Sequence, residues 1–380
     1  WIVISIVVYL VGMLAIGGVY SKGNNTSGDF YLGGRKLGPI VTAMSTEASD
    51  MSGWLLMGLP GVAYFTGLAD APWTAIGLAV GTYLNWLFVA KRLRQYSFRI
   101  DAITIPDFFA KRYRDPKLIE GIAAIVVIVF FIPYTASGFA ACGKLFTNLF
   151  NISYMTAMLI SAFVIVAYCD MGGFLLQIIV MRLALVIVLW FGIDTAGGWD
   201  AVVANAKSTA GYFSLTSLGN VATGESSNYG FITICSTLAW GLGYFGMPHI
   251  LLHFMAAEDE NKLKISRRIG TVWVVISMAM AVTIGIVGYA MSKTGSIVTF
   301  ASGSSAEAVI VKIAALLSTH GVVLALLAGV ILAGILASTM STADAQLIAA
   351  ASGITQNIMI DVFGVKMSDK TNMAVARCTV

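Results

Sequence analysis

Charge is what this sequence has least of. Asp, Glu, Lys and Arg make up 11% of its 380 residues, against 58% hydrophobic residues and a mean hydropathy of +0.85. That scarcity excludes a soluble enzyme, in which roughly a quarter of the residues are charged. The 23 basic, 19 acidic and 3 histidine side chains gather in short stretches between long apolar runs. Those runs have the roughly 17 to 25 residues that cross a bilayer, so the lipid bilayer is the expected partner. A net charge of +4 with no basic face on a water-exposed module excludes nucleic acid. Cysteine is as scarce. Cys142, Cys169, Cys235 and Cys378 have no paired short spacing, which excludes a zinc site and a disulfide framework. No Ser/His/Asp or metal-ligand cluster is present, so the expectation is not an enzyme. His249 and His320 are read as interfacial residues near span ends. The chain opens on Trp1 in mid-pattern and stops at Val380 as another apolar stretch begins, so both ends are read as cut.

What is present is a succession of apolar runs. Read against their breakers, they place helical spans near 1–20, 41–64, 71–90, 119–148, 153–170, 174–193, 229–254, 269–291 and 320–350. Barrel strands would show roughly ten-residue alternation instead, and helices are the alternative in lipid. With residue 1 outside, the inside loops hold Lys22, Arg35 and Lys36, eight basic residues from Lys91 to Lys117, then Lys262, Lys264, Arg267, Arg268, Lys366 and Lys370. Lys207 and Lys293 fall in the outside loops, and by the positive-inside rule this imbalance predicts a multi-pass protein of the plasma (cytoplasmic) membrane with its N-terminus outside. The Gly-, Ser-, Thr- and Asn-rich stretch 195–228 reads as an outside loop, and Ser302–Lys312 as a short surface helix.

Two spans are interrupted. Ser45, Thr46, Glu47, Ser49, Asp50, Ser52 and Gly53 crowd the second, and Gly241, Gly243, Gly246 and Pro248 crowd the seventh. The spans lie five apart, the spacing at which inverted repeats of five helices place their broken helices around a solute. Gly241 to Gly246 also fits the GxGxxG dinucleotide fingerprint, which is rejected because no strand precedes it and an apolar span surrounds it. Opened helix with Trp240 and Tyr244 on one face, or close packing through small residues: both readings stand.

A carboxylate at membrane depth, such as Asp50, is costly and faces a cavity or a partner; the plainer role is to cap the second half-helix. Glu47 reads as nearer the inner boundary and wet. In the ninth span Ser338, Ser341 and Thr342 share a face, together with Thr339 and Asp344 nearby. Two hydroxyls and a loosened carbonyl suit a small hard cation, although such hydroxyls often bond back to their own helix. Arg182, in the middle of the sixth span, has no sequence explanation.

Ala48-Ser49-Asp50-Met51-Ser52-Gly53-Trp54-Leu55-Leu56-Met57-Gly58-Leu59-Pro60 and Trp240-Gly241-Leu242-Gly243-Tyr244-Phe245-Gly246-Met247-Pro248-His249 together resemble the sodium/solute symporter family, in particular its sodium/proline symporter branch. Phe30-Tyr31-Leu32-Gly33-Gly34-Arg35, Tyr134 with Ala136-Ser137-Gly138, and Met340-Ser341-Thr342 support the resemblance, which runs from about residue 5 to residue 360. It implies an all-α, polytopic, leucine-transporter-type inverted-repeat fold that works by alternating access. One extra N-terminal helix, 1–20, would precede repeats at 41–193 and 229–380, the second incomplete. The implied activity is sodium-coupled import of L-proline. Another amino acid, pantothenate or a sugar is the alternative solute, and a non-transporting solute sensor the alternative class. The sodium ion, the one cofactor implied, would meet the carbonyls of Ala48, Met51 and Ser338 and the hydroxyls of Ser341 and Thr342, with Asp50 acting in coupling. Proline would lie among Ser52, Gly53, Trp54, Tyr134, Trp240, Tyr244 and Pro248. One departure stands out: Gly172-Gly173-Phe174 runs directly into Leu175-Leu176-Gln177, without the family's acidic residue, which suggests an internal gap.

Overall fold

The computed structural model describes residues 1–20, 31–115, 117–150, 152–169 and 175–379. Lys22, Phe30 and the Gly172-Gly173-Phe174 run lie outside the described residues. Helix α1 (Ile2–Tyr20) is followed by α2 (Pro39–Asp50), which opens on a proline whose missing N–H costs a first turn nothing. The chain breaks at Met51 (φ −80°, ψ 45°) and re-enters helix through a wide turn, Trp54–Gly58, into α3 (Leu59–Thr66). Next, α4 (Asp70–Asn85) runs through another wide turn, Trp86–Ala90, into α5 (Lys91–Arg99). Then come α6 (Ile105–Tyr113), α7 (Leu118–Phe150), α8 (Tyr154–Cys169) and α9 (Leu175–Thr195). At 196–198 the chain bends by 78° into α10 (Trp199–Lys207).

An antiparallel hairpin follows, β1 (Ser217–Gly219) with β2 (Ser226–Asn228), Leu218 standing opposite Ser227. The second broken span is α11 (Phe231–Leu238), a tight 3₁₀ stretch Ala239–Gly246, and α12 (Pro248–Ala256). The chain continues with α13 (Leu263–Lys293), α14 (Gly303–Ala306), α15 (Val309–Leu317), α16 (Val322–Ser352) with its wide extension Gly353–Val362, and α17 (Asp369–Thr379).

The expected spans therefore fall on helices. Four stretches are long and apolar enough to cross a membrane unbroken: Asp70–Arg99, Leu118–Thr147, Leu263–Lys293 and Val322–Val362. The other five are split by breaks or touch residues outside the description. Helix α16 is the axis of the bundle, buried on every side from Ile331 to Gln346 and packed by α1, α2, α7, α8 and α9. Its small and apolar residues fill that place, while Ser338, Thr339, Ser341, Thr342, Asp344 and Gln346 bring polar groups into the interior. Helix α13 binds the two halves of the first broken span to α4 and α9.

The basic stretches share one end of the bundle. Arg35 donates to Ala102 O (2.6 Å), Arg94 Nε to Ala257 O (2.5 Å) and Gln95 to Glu260 (2.7 Å), while Glu258 N reaches Leu37 O (2.9 Å). At the other end, Tyr212 OH donates to Ala63 O (2.8 Å) and Leu68 N to Tyr212 O (2.8 Å).

Two expectations about connections are corrected. Stretch 195–228 contains helix α10 and the hairpin, with Tyr212 fully buried and tied to the first broken span. Ser302–Lys312 is no single surface helix. It holds the single-turn α14, capped by Ser302, and the start of α15, where Val309, Ile310 and Val311 are buried. These side chains pack inward because neighbouring α3, α7 and α16 cover them.

Candidate ion and solute site

The first break opens one carbonyl to α16. In a continuous helix the Ser52 amide would reach Ala48 O, but it turns to Asp50 O (2.9 Å). The Ser341 hydroxyl takes its place at 2.7 Å from Ala48 O, with Thr342 Oγ1 at 3.4 Å. Both hydroxyls also lie near Ser338 O, at 3.1 and 3.2 Å, so that carbonyl is shared among donors. Ser338 and Thr339 themselves bond back to Ile335 O, the plainer reading for hydroxyls in a membrane helix. Four oxygens thus converge: two carbonyls, Ala48 and Ser338, and two hydroxyls, Ser341 and Thr342. Met51 is buried where α2 ends, its N–H donating to Glu47 O. The donor set is all oxygen and neutral, which suits a hard monovalent cation once the hydroxyl protons rotate away.

Asp50 does not cap the second half-helix. Ser52 does, its Oγ accepting from Trp54 N (3.2 Å), while the Asp50 carboxylate accepts from the Tyr244 hydroxyl of the other broken span. Tyr134 of α7 lies within electrostatic range of both. Gly53 is a close approach: an added Cβ would collide with Thr339 Oγ1 on α16.

In the second break, the glycines differ by position, and close packing holds for Gly241. Gly241 packs on α4 so tightly that a Cβ would overlap the Gly77 carbonyl, whereas Gly243 and Gly246 face open space. Trp240 and Tyr244 do not share a face as expected. In a 3₁₀ stretch of about three residues per turn, positions four apart lie a third of a turn from each other. Trp240 is accordingly 52% exposed and Tyr244 only 5%. Trp240 meets Trp54 edge to face at 5.1 Å between ring centroids, and the pair walls a cavity of about 510 Å³. Asp70, Thr74, Ser236 and Thr237 supply polar groups to it. Of the seven expected solute residues, Trp54 and Trp240 line this cavity. Ser52 and Gly53 form the break beneath it, Tyr134 and Tyr244 gather at Asp50, and Pro248 opens α12.

Several residues were missed or misread from sequence. His249 is not interfacial: it is 1% exposed at the second break, edge to face with Phe131 and Tyr134, because Pro248 turns it inward at the start of α12. His253 lies between Ser45 (3.2 Å) and Ser49 (2.9 Å), which explains two of the serines crowding the second span. Ser45 and Ser49 stand four apart on α2, a spacing that could have signalled a common partner. Glu47 is not wet but 1% exposed, held by Trp86 Nε1 (3.2 Å). Arg182 lies 3.8 Å over the Trp273 ring, a cation–π contact, while its Nε and Nη2 are buried without a hydrogen-bond partner among the described residues.

Two broken helices that meet at Trp54–Trp240 and Asp50–Tyr244, beside a cluster of oxygens between the first break and α16, define a helical secondary transporter of the leucine-transporter type. The same fold occurs in a sodium-coupled sialic acid symporter in a substrate-bound outward-open state (TM-score 0.82, 16% identity, covering all of this chain and 78% of that one). A nucleobase-cation-symport-1 family transporter in a closed conformation is a more distant match (TM-score 0.53, 14% identity, 93% of this chain and 73% of that one). Residues 30–380 match the Sodium:solute symporter family, and the chain belongs to it.

It is therefore a multi-pass sodium-coupled solute symporter and not an enzyme. Among its relatives, the sodium/proline symporter of Salmonella typhimurium is 38% identical over 364 residues, 93% of this chain and 70% of that protein. An osmoregulated proline transporter of Bacillus subtilis is 37% identical over 388 residues, the whole of this chain and 75% of that protein.

Proposed function

We propose that the solute is L-proline, imported with sodium across the cytoplasmic membrane by alternating access. The observation that carries this reading is the likeness, at 37 to 38% identity over most of the chain, to proteins that transport proline. The chemistry of the cavity supports it: a zwitterion with a saturated ring needs a flat apolar wall and a few fixed polar groups, and Trp54, Trp240, Asp70 and Thr237 are of those kinds. Sodium, a co-substrate rather than a resident cofactor, is held by the carbonyls of Ala48, Met51 and Ser338 and the hydroxyls of Ser341 and Thr342. Asp50 sets the potential nearby without entering the shell. On this reading 41–193 and 229–380 are the two repeats, with 1–20 outside them. Vesicles carrying the protein test the reading: labelled proline accumulates under an inward sodium gradient and is not displaced by pantothenate or sugars. Uptake that ignores sodium, or a different solute carried in its place, contradicts it.

Removing an aromatic wall tests the solute site. Trp240→Ala is expected to raise the half-saturating proline concentration roughly tenfold, or ~1.4 kcal/mol, the scale of an aromatic face that a bound solute covers, while leaving sodium dependence in place. Unchanged proline affinity in a well-inserted protein would move the solute elsewhere.

The end of the bundle that carries the basic stretches faces the cytoplasm on this reading. Single cysteines at Arg112 and Asn205, in a background lacking Cys142, Cys169, Cys235 and Cys378, should then label from opposite sides. An impermeant reagent added outside reaches position 205 only; reaction of both positions would sink the orientation.

A further inference from the structure

Glu47 has no part in the sites described so far. It stands three residues before Asp50 on α2, buried to 1%, with no ion pair among the described residues. Its Oε1 accepts from Trp86 Nε1, and Gly270 of α13 leaves room for that pair, since a Cβ there would stand 2.7 Å from Oε1. Its Oε2 is buried with no hydrogen-bond partner. Asn85 of α4, also 1% exposed, is in the same condition. The Asn85 Nδ2 donates to Tyr244 O (2.9 Å), which fixes the orientation of the amide and leaves Oδ1 without a donor.

Both residues border one small cavity, where Asp50, Tyr244, Thr46 and Thr82 share the wall with Trp86 and the apolar Ile250 and Phe254. Its volume is about 10 Å³, room for about one water-sized body. Every unmet group there is an acceptor. Glu47 and Asp50 also interact as like charges at short range, and no basic side chain lies in the cavity wall. A water could donate to the two orphaned oxygens, but unlike a cation it brings no charge to set against either carboxyl group.

We propose that a second cation binds in this cavity, between Glu47 Oε2, Asn85 Oδ1 and the Asp50 carboxylate, and that it is sodium. The oxygen donors are of the hard type, and the residues bearing them are too few for the roughly six to eight oxygens that calcium takes. The inference rests on the chain's sodium coupling, not on which solute is carried. It gives Asp50 a position between two ions: one beyond the Ala48 carbonyl, toward α16, and one toward α4. The proposed site differs in kind from the first, which is neutral and made of carbonyls and hydroxyls.

Equilibrium binding of radiolabelled sodium to the purified full chain decides it. Wild type is expected to bind a second equivalent of sodium that Glu47→Gln lacks and Ser341→Ala keeps. Asn85→Ala, which leaves both carboxylates, should weaken that second equivalent roughly tenfold, the factor of ~1.4 kcal/mol for one lost ligand, and it carries the test if Glu47→Gln does not fold. Glu47→Gln binding as much sodium as wild type overturns the second site and leaves the α2–α16 site untouched. Sodium lost with Glu47→Gln but retained in full by Ser341→Ala supports the second site and overturns the first.

Discussion

Replacing Ser341 by alanine is expected to lower the apparent sodium affinity of proline uptake by roughly 10- to 150-fold, with transport recovering at high sodium. The magnitude follows from removing one hydroxyl that contacts a charged species in a buried site, worth about 1.5–3 kcal/mol. Volume hardly changes, and α16 keeps its packing, so folding should survive. Thr342→Ala should act in the same direction but less strongly, because Thr342 Oγ1 stands at 3.4 Å from the Ala48 carbonyl against 2.7 Å for Ser341 Oγ. Thr342→Ser keeps the hydroxyl and should stay near wild type. Sodium-activation curves of proline uptake measure all three. Native curves for both alanine variants would mean that the hydroxyls serve only as hydrogen-bond donors to the Ala48 and Ser338 carbonyls.

The second large effect is structural. Gly241→Ala places a methyl group against the Gly77 carbonyl, where the second broken span crosses α4, and backbone cannot move aside as a side-chain tip does. Overpacking in a filled interior costs typically about 1–3 kcal/mol and more when the obstacle is backbone. The expected outcome is a marked fall in thermal stability of the purified protein, or failure to accumulate in the membrane. Gly243→Ala is the control, since a methyl there meets nothing within 4 Å and should leave stability close to wild type. If the two variants melt together, α4 and the 3₁₀ stretch are not in the close contact described.

Much of this was open to reading in the sequence because membrane spans announce themselves. Apolar runs of bilayer length gave the helices, and serines, glycines and a proline in spans five apart gave the two breaks. Ser341 and Thr342 were legible with Ser338, since positions three and four after it lie on its side of α16. What decides between ion ligand and back-bond is Ala48 O, on a helix nearly 300 residues earlier, and that proximity is tertiary. His253 was overlooked for the same reason: its partners Ser45 and Ser49 are 208 and 204 residues away. Glu47 was misplaced because its burial depends on Trp86 and on the missing side chain of Gly270, in two other helices. The Trp240 and Tyr244 pairing failed on local geometry, since α-helical spacing was assumed where the glycines allow 3₁₀ winding. Helix α10 and the hairpin are short and polar, with too few residues for a periodicity to show.

The central claim is that sodium bound between the first broken helix and α16 is coupled to the solute held between the two breaks. Binding of labelled proline to the purified protein across a range of sodium concentrations, paired with sodium binding across a range of proline concentrations, tests it most directly. Linkage requires each ligand to raise the affinity of the other by the same factor, and Ser341→Ala should shift both curves to higher sodium together. Proline binding that is indifferent to sodium, or whose sodium dependence survives Ser341→Ala unchanged, would contradict the account.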